Sequence, residues 1–177
     1  MTVQIKEFPG VYLRESDFRE KKIIFNEWTP NAQYAWDAGV AIGRYLAELK
    51  EGRLIGVHCR HCRRTVTPPR NVCEWCFRPM DDWIALPDTG TVNTFSLCYV
   101  TWDMRRVEEP EISAVIDIDG TRPLVGIMHL LGEVEPDDVK IGMKVRAVWR
   151  PPEEREGSIL DIRYFKPIAN IRLDIGC

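Results

Sequence analysis

Histidine is scarce in this chain, with three in 177 residues. Two of them, His58 and His61, stand directly before cysteines. No Ser-His-Asp spacing, phosphate-cradling glycine loop or paired-carboxylate motif is present, so the sequence carries little recognisable catalytic equipment. No apolar run is long enough to span a bilayer, and the charged start lacks the apolar core of a signal peptide. These absences predict a cytoplasmic protein with no membrane partner. A net charge of −3 and a pI near 5.7 argue against a chain whose main work is coating nucleic-acid phosphate. Internal repeats and low-complexity tracts are also missing. What remains is an ordinary globular composition, 45% hydrophobic and 29% charged, in a chain long enough for one core and a small appendage.

Against that background four cysteines stand out. Cys59 with Cys62 and Cys73 with Cys76 form two C-x2-C pairs. A two-residue gap lets both sulfurs of a pair turn toward one ion, and two such pairs close together suit the tetrahedral thiolate cage of a zinc ribbon. Four thiolates close the coordination sphere, so the Zn2+ is read as structural. Two other readings of the segment are a redox dithiol and a site in which His58 or His61 replaces one cysteine. Cysteines grouped as ligands agree with a reducing compartment. Of the two left over, Cys98 lies in a strand-like run and reads as a small buried hydrophobe, and Cys177 is the last residue. Arg53, Arg60, Arg63, Arg64, Arg70 and Arg78 lie in or beside the cysteine segment, where Glu74 is the only acid. This local basic patch is either a solvated face or a surface for phosphates or an acidic partner.

Residues 1–28 mix charges with Phe8, Tyr12, Phe18, Ile23, Ile24, Phe25 and Trp28, which reads as an arm that docks on something. Thr29 followed by Pro30 predicts a helix start, Ala35, Ala38, Ile42, Tyr45 and Leu49 give it one apolar stripe, and Gly52 ends it. Tyr34, Trp36 and Leu46 widen that stripe, which serves the core or a partner subunit. From about Trp83 onward the pattern is period two. Phe95, Leu97 and Tyr99 share a face, as do Ala114, Ile116 and Ile118; Asp119-Gly120 then turns into a third strand with Val125, Ile127, His129 and Leu131. Val145, Ala147 and Trp149 mark a fourth strand, and Leu160, Ile162 and Tyr164 a fifth. His129 in such company reads as half-buried and hydrogen-bonded. Five strands with glycines at the bends predict a small closed barrel of OB type.

The order of these parts resembles the acyl-CoA-associated family that joins a rubredoxin-like zinc ribbon to an OB fold. The resemblance is carried by Gly52-Arg53-Leu54-Ile55-Gly56, the two cysteine pairs, Pro68-Pro69-Arg70, Trp83 ahead of Gly90-Thr91-Val92, and Thr94-Phe95. Further along it is carried by Pro110, the stretch from Ala114 to Gly120, Ile141-Gly142-Met143-Lys144-Val145 and Phe165-Lys166-Pro167. The expected fold is mainly β with an N-terminal helix: an arm and helix over 1–52, a zinc ribbon over 53–82 and a five-stranded OB-fold barrel over 83–177. One departure is Arg63 and Phe77, where the family often has glycine after each pair; if those positions need a left-handed backbone, the cost is roughly 1–2 kcal/mol each.

The resemblance implies a non-catalytic accessory subunit of a thiolase-type acyltransferase, with CoA or acyl-CoA as a ligand shared with the catalytic subunit. Degradation of aromatic acids, as by benzoylsuccinyl-CoA thiolase, is one such setting. A hot-dog-fold enoyl-CoA hydratase is an alternative partner, and single-stranded nucleic-acid binding an alternative function. For CoA phosphates the candidates are Arg105 and Arg106, in the Thr101–Pro110 loop beside Trp102 and Met104, together with Arg63 and Arg64 of the ribbon.

Overall fold

Period-two patterning after residue 88 builds the larger of two sheets, and the cysteine segment builds the smaller. A computed structural model of the chain describes residues 14–23, 29–101 and 103–168. Phe8, Tyr12, Ile24, Phe25, Trp28, Trp102 and Cys177 therefore lie outside the described residues. The chain divides into two units, Met1–Trp36 and Asp37–Cys177. In the first, α1 (Glu15–Arg19) is a short helix in which the Arg14 amide donates to the Asp17 carboxylate, and Phe18 is partly exposed. Tyr34 and Trp36 are strongly exposed.

No helix starts at Thr29-Pro30. Helix α2 (Gly39–Lys50) begins nine residues later. Gly39 sits at φ +67, which breaks right-handed continuity from Pro30, and its amide is taken by the Asp37 carboxylate at 2.7 Å. The inward stripe is accordingly Ala41, Tyr45 and Leu49, with Leu46 packed beside them, while Ile42 is exposed. The C-terminus follows the expectation. Gly52 at φ +72 lets its amide reach Leu49 O, and the Arg53 amide reaches Glu48 O, a Schellman closure.

The smaller sheet has order β2-β1-β3, from β1 (Leu54–Cys59), β2 (Arg64–Val66) and β3 (Asp82–Leu86), all antiparallel. The larger has order β6-β5-β4-β7-β8, from β4 (Thr89–Val100), β5 (Arg106–Ile118), β6 (Gly126–Leu130), β7 (Lys144–Trp149) and β8 (Ile162–Pro167). One core joins them: Leu49, Leu54 and Leu86 pack in the same cluster as Val92, Ile116, Val145 and Phe165.

All five expected strands are present, but the barrel is not closed. The sheet's edges, β6 and β8, meet at a single parallel bridge, Leu131↔Phe165, and β4 pairs with β7 only over Thr89–Thr91. A second correction concerns the last strand. Ile159–Asp161 forms a 3-10 turn and the β7–β8 ladder shifts register between Val148 and Trp149. Leu160 is thereby turned outward and Asp161 inward, with Phe165 rather than Tyr164 fully buried. Cys98 is half-buried, its thiol 3.9 Å from the Ser96 hydroxyl and 4.0 Å from that of Ser113.

Asp161 is 2% exposed and accepts the amides of Gly157 at 2.8 Å and of Glu156 and Ser158 at 3.0 Å, which fixes the turn before β8. Burial pushes its pKa up, but those amides outweigh burial and hold it below 3.8. Its contribution to stability is therefore full above pH 3.8 and is lost as pH falls through the lowered value. Asp161→Ala should cost about 2–3 kcal/mol in urea unfolding at neutral pH, because three donors lose a charged acceptor. Asp161→Asn should cost less, and its deficit relative to the parent should shrink when the titration is repeated below pH 3.8.

Candidate metal centre

The ribbon strands present the cysteines from two turns. Cys59 ends β1 opposite Arg64, so Cys59–Cys62 caps the β1–β2 hairpin. Cys73–Cys76 caps a second, smaller hairpin closed by the Val72↔Pro79 bridge, by the Cys73 amide to Arg78 O at 2.9 Å and by the Phe77 amide to Cys73 O at 2.8 Å. The turns need a left-handed residue after each pair: Arg63 has φ 53 and Phe77 φ 57. Non-glycine residues therefore sit in the strained region that glycine would enter freely.

The four sulfurs lie within 4.8 Å of one another, with Cys59 Sγ and Cys76 Sγ 3.7 Å apart. Sulfurs held about 2.3 Å from a common tetrahedral centre are about 3.8 Å from each other, whereas a disulfide requires about 2.05 Å. The spacing fits Zn2+ and not a bridge, and all four cysteines are free. Cys59 and Cys73 are fully buried and Cys62 and Cys76 half-buried.

Without metal the thiols do not titrate alike. At Cys73 burial pushes the pKa up, but the amides of Cys76 and Trp75 pull it down to about 7; Cys62 is pushed up to about 12 by burial and by hydrogen bonds with Cys76, Cys73 and Cys59. Loading such a cluster with metal displaces thiol protons, which makes binding pH-dependent. A bound Zn2+ would hold the two turns together and keep no open coordination position. The histidines stay outside the cluster. His58 is half-buried with Nδ1 2.9 Å from the Thr65 hydroxyl, and His61 is exposed.

Four of the six arginines of the basic patch are paired with acids, and two of those acids come from outside the cysteine segment, a pairing that sequence order does not display. Arg53 bonds Glu48 at 2.6 Å, and Arg60 makes a two-pronged contact with Asp82 at 2.7 and 2.6 Å while its amide donates to the Asp81 carboxylate. Glu74 receives Arg64 at 2.8 Å and Arg70 at 3.6 Å. Arg64 is buried at 4% exposure, and the Trp75 ring lies 4.1 Å from its guanidinium. Its place among the phosphate candidates is therefore taken by Glu74 and Trp75. Arg63 is exposed.

Arg105 and Arg106 belong to the far end of the β4–β5 hairpin. The ribbon joins that hairpin at the other end, where Thr65 and Arg122 exchange amide bonds of 2.9 Å. The intervening β5 strand has 13 residues, about 40 Å at 3.3 Å per residue. The four arginines therefore form two separate groups. Arg105 is paired with Asp103 at 2.6 Å, and Met104 is exposed with φ 64.

His129 is buried, its Nδ1 accepting the Leu130 amide at 2.9 Å and its Nε2 lying 3.2 Å from Ile159 O. Burial lowers its pKa, so it is neutral and held by main chain. A feature absent from the sequence reading is a cleft of about 580 Å³ on the larger sheet, rimmed by carboxylates. Its signal was the acidic run Glu108-Glu109-Pro110-Glu111; Glu135 and Asp137 reach the rim only through the fold.

Residues 46–81 match the family model described as the ChsH2 rubredoxin-like zinc ribbon domain, and residues 83–150 the one described as the ChsH2 C-terminal OB-fold domain. A DUF35 domain-containing scaffold protein of Methanocaldococcus jannaschii is 32% identical over 120 residues, which cover 66% of this chain and 83% of that protein. Two solved structures share the fold. A DUF35-family protein of unknown function from Sulfolobus solfataricus has a TM-score of 0.53 at 22% identity, covering 62% of this chain and 78% of its own. The Ltp2-ChsH2(DUF35) aldolase has a TM-score of 0.54 at 19% identity, covering 76% of this chain and 98% of its own.

Cys59→Ser should lose bound zinc in elemental analysis and melt at a clearly lower temperature; one retained zinc per chain with unchanged melting would contradict the four-thiol centre. Arg63→Gly should do the opposite, raising unfolding free energy by up to about 1 kcal/mol through relief at a left-handed position, with zinc content unchanged.

Proposed function

Since the chain belongs to the DUF35 family, a zinc ribbon followed by an OB fold, we propose that it is a non-catalytic accessory subunit that docks on an enzyme acting on acyl-CoA thioesters. The observation that carries this reading is the 32% identity, over most of its length, to a protein described as a scaffold. The chemistry of the chain supports it. A four-thiolate centre offers no open metal position, and His58 and His129 are each committed to local hydrogen bonds. The ribbon, with Trp75 and Phe77 exposed at 60% and 80%, offers an apolar docking surface on a scaffold stiffened by metal.

We assign a catalytic partner of thiolase type, which the sequence resemblance implies, with aromatic-acid degradation as one such setting. The Ltp2-ChsH2(DUF35) aldolase, whose name joins a DUF35 protein to an aldolase, supports a partnership with a catalytic subunit. Among the described residues, Arg106 in the β4–β5 hairpin and Arg63 in the ribbon are exposed and have no acidic partner; β5 holds them too far apart to share one CoA and Arg106 borders the acidic cleft, so we assign the CoA phosphates to Arg63. Nucleic-acid binding is disfavoured by the acidic cleft on the OB sheet, which repels a phosphate backbone. In this reading residues 1–52 are the arm and helix, 53–82 the ribbon and 83–177 the OB domain.

Purification of the tagged chain from its native cell should bring down a thiolase-type subunit in fixed ratio. The chain alone should turn over no acyl-CoA, and the reconstituted pair should do so. Full activity of the isolated chain would overturn the proposal.

A further inference from the structure

The 580 Å³ cleft has an apolar floor and an unneutralised rim. Ile112, Leu130, Leu131 and Val134 form the floor, with Tyr99 at one side. The rim carries Glu108, Glu109, Glu111, Glu135 and Asp137. Among the described residues none of these five carboxylates has an ion-pair partner, whereas Arg53, Arg60, Arg64 and Arg70 have all found one. Like charges gathered around an apolar floor repel one another until a positive group arrives, and an apolar patch rimmed by polar residues marks an interaction site. The β4–β5 register passes from Cys98↔Glu111 to Val100↔Arg106, leaving Val107–Pro110 without β4 partners.

We propose that this cleft docks a segment of the catalytic partner that bears an apolar side chain flanked by lysine or arginine, as a second contact besides the ribbon. The inference rests on the accessory-subunit reading and adds the partner's chemistry to it. Charge complementarity selects that occupant. A second copy of this chain fits poorly, because most arginines of its one basic patch are held by its own acids. The same charges keep CoA phosphates out of the cleft.

The test uses the co-purified complex. Zero-length carbodiimide coupling, mapped by mass spectrometry, should join partner lysines to one or more of the five rim carboxylates. Combined Glu108→Lys, Glu109→Lys and Glu111→Lys should weaken partner binding at least tenfold at low salt and less at high salt, with zinc content and melting preserved. Should that variant misfold, Glu135→Lys with Asp137→Lys serves in its place. Undiminished binding by a folded charge-reversed chain overturns the cleft proposal alone, as does coupling of the rim only to a second copy of this chain. A preparation from native cells that contains no partner at all overturns the accessory-subunit reading, and this inference with it.

Discussion

Four sulfurs held within reach of one ion are the constraint on which the ribbon depends. The turns that carry them place Arg63 and Phe77 in a backbone region that neither side chain favours, and bury two thiols completely. Neither arrangement is stable for a short segment with little apolar surface of its own. A metal that takes all four thiolates contributes on the order of 10–16 kcal/mol to such a site at neutral pH, enough to absorb both strained residues. The effect is not local, because β1 and β3 place Leu54, Ile55 and Leu86 in the same cluster as the OB strands. Metal, ribbon and OB sheet therefore stand on one shared core.

Much of this was legible from the sequence because it depends on local pattern. Cysteine spacing alone identified the cluster, and Ala114-Ile116-Ile118 and Val145-Ala147 showed their inward faces by simple alternation. Reading failed where an irregularity interrupts the period. The alternation Leu160-Ile162-Tyr164 passes over a 3-10 turn, in which Leu160 faces out and Asp161 is a buried cap. The helix start failed for a related reason: Thr29-Pro30 is a competent beginning, but residues 29–38 are not helical and α2 begins at Gly39, which takes a left-handed backbone.

Charge was the least legible property. In sequence the ribbon is arginine-rich with one acid. In space Glu48 and Asp82 fold back to pair Arg53 and Arg60, while Glu74 holds both Arg64 and Arg70. The acidic cleft is the converse case, since Glu108-Glu109-Pro110-Glu111 looks like a solvated stretch until Glu135 and Asp137 close the other side of the same hollow. Linear order records which charges exist; long-range pairing decides which of them remain uncompensated.

The separation of these two regions along β5 gives the unit Asp37–Cys177 an electrical polarity. One end carries a concentrated negative field over an apolar hollow, while the other holds four of its six arginines in short ion pairs. In solution such a body does not meet an oppositely charged surface at random. Its field turns the negative end forward during diffusion, so productive encounters arrive pre-oriented and their frequency falls with ionic strength.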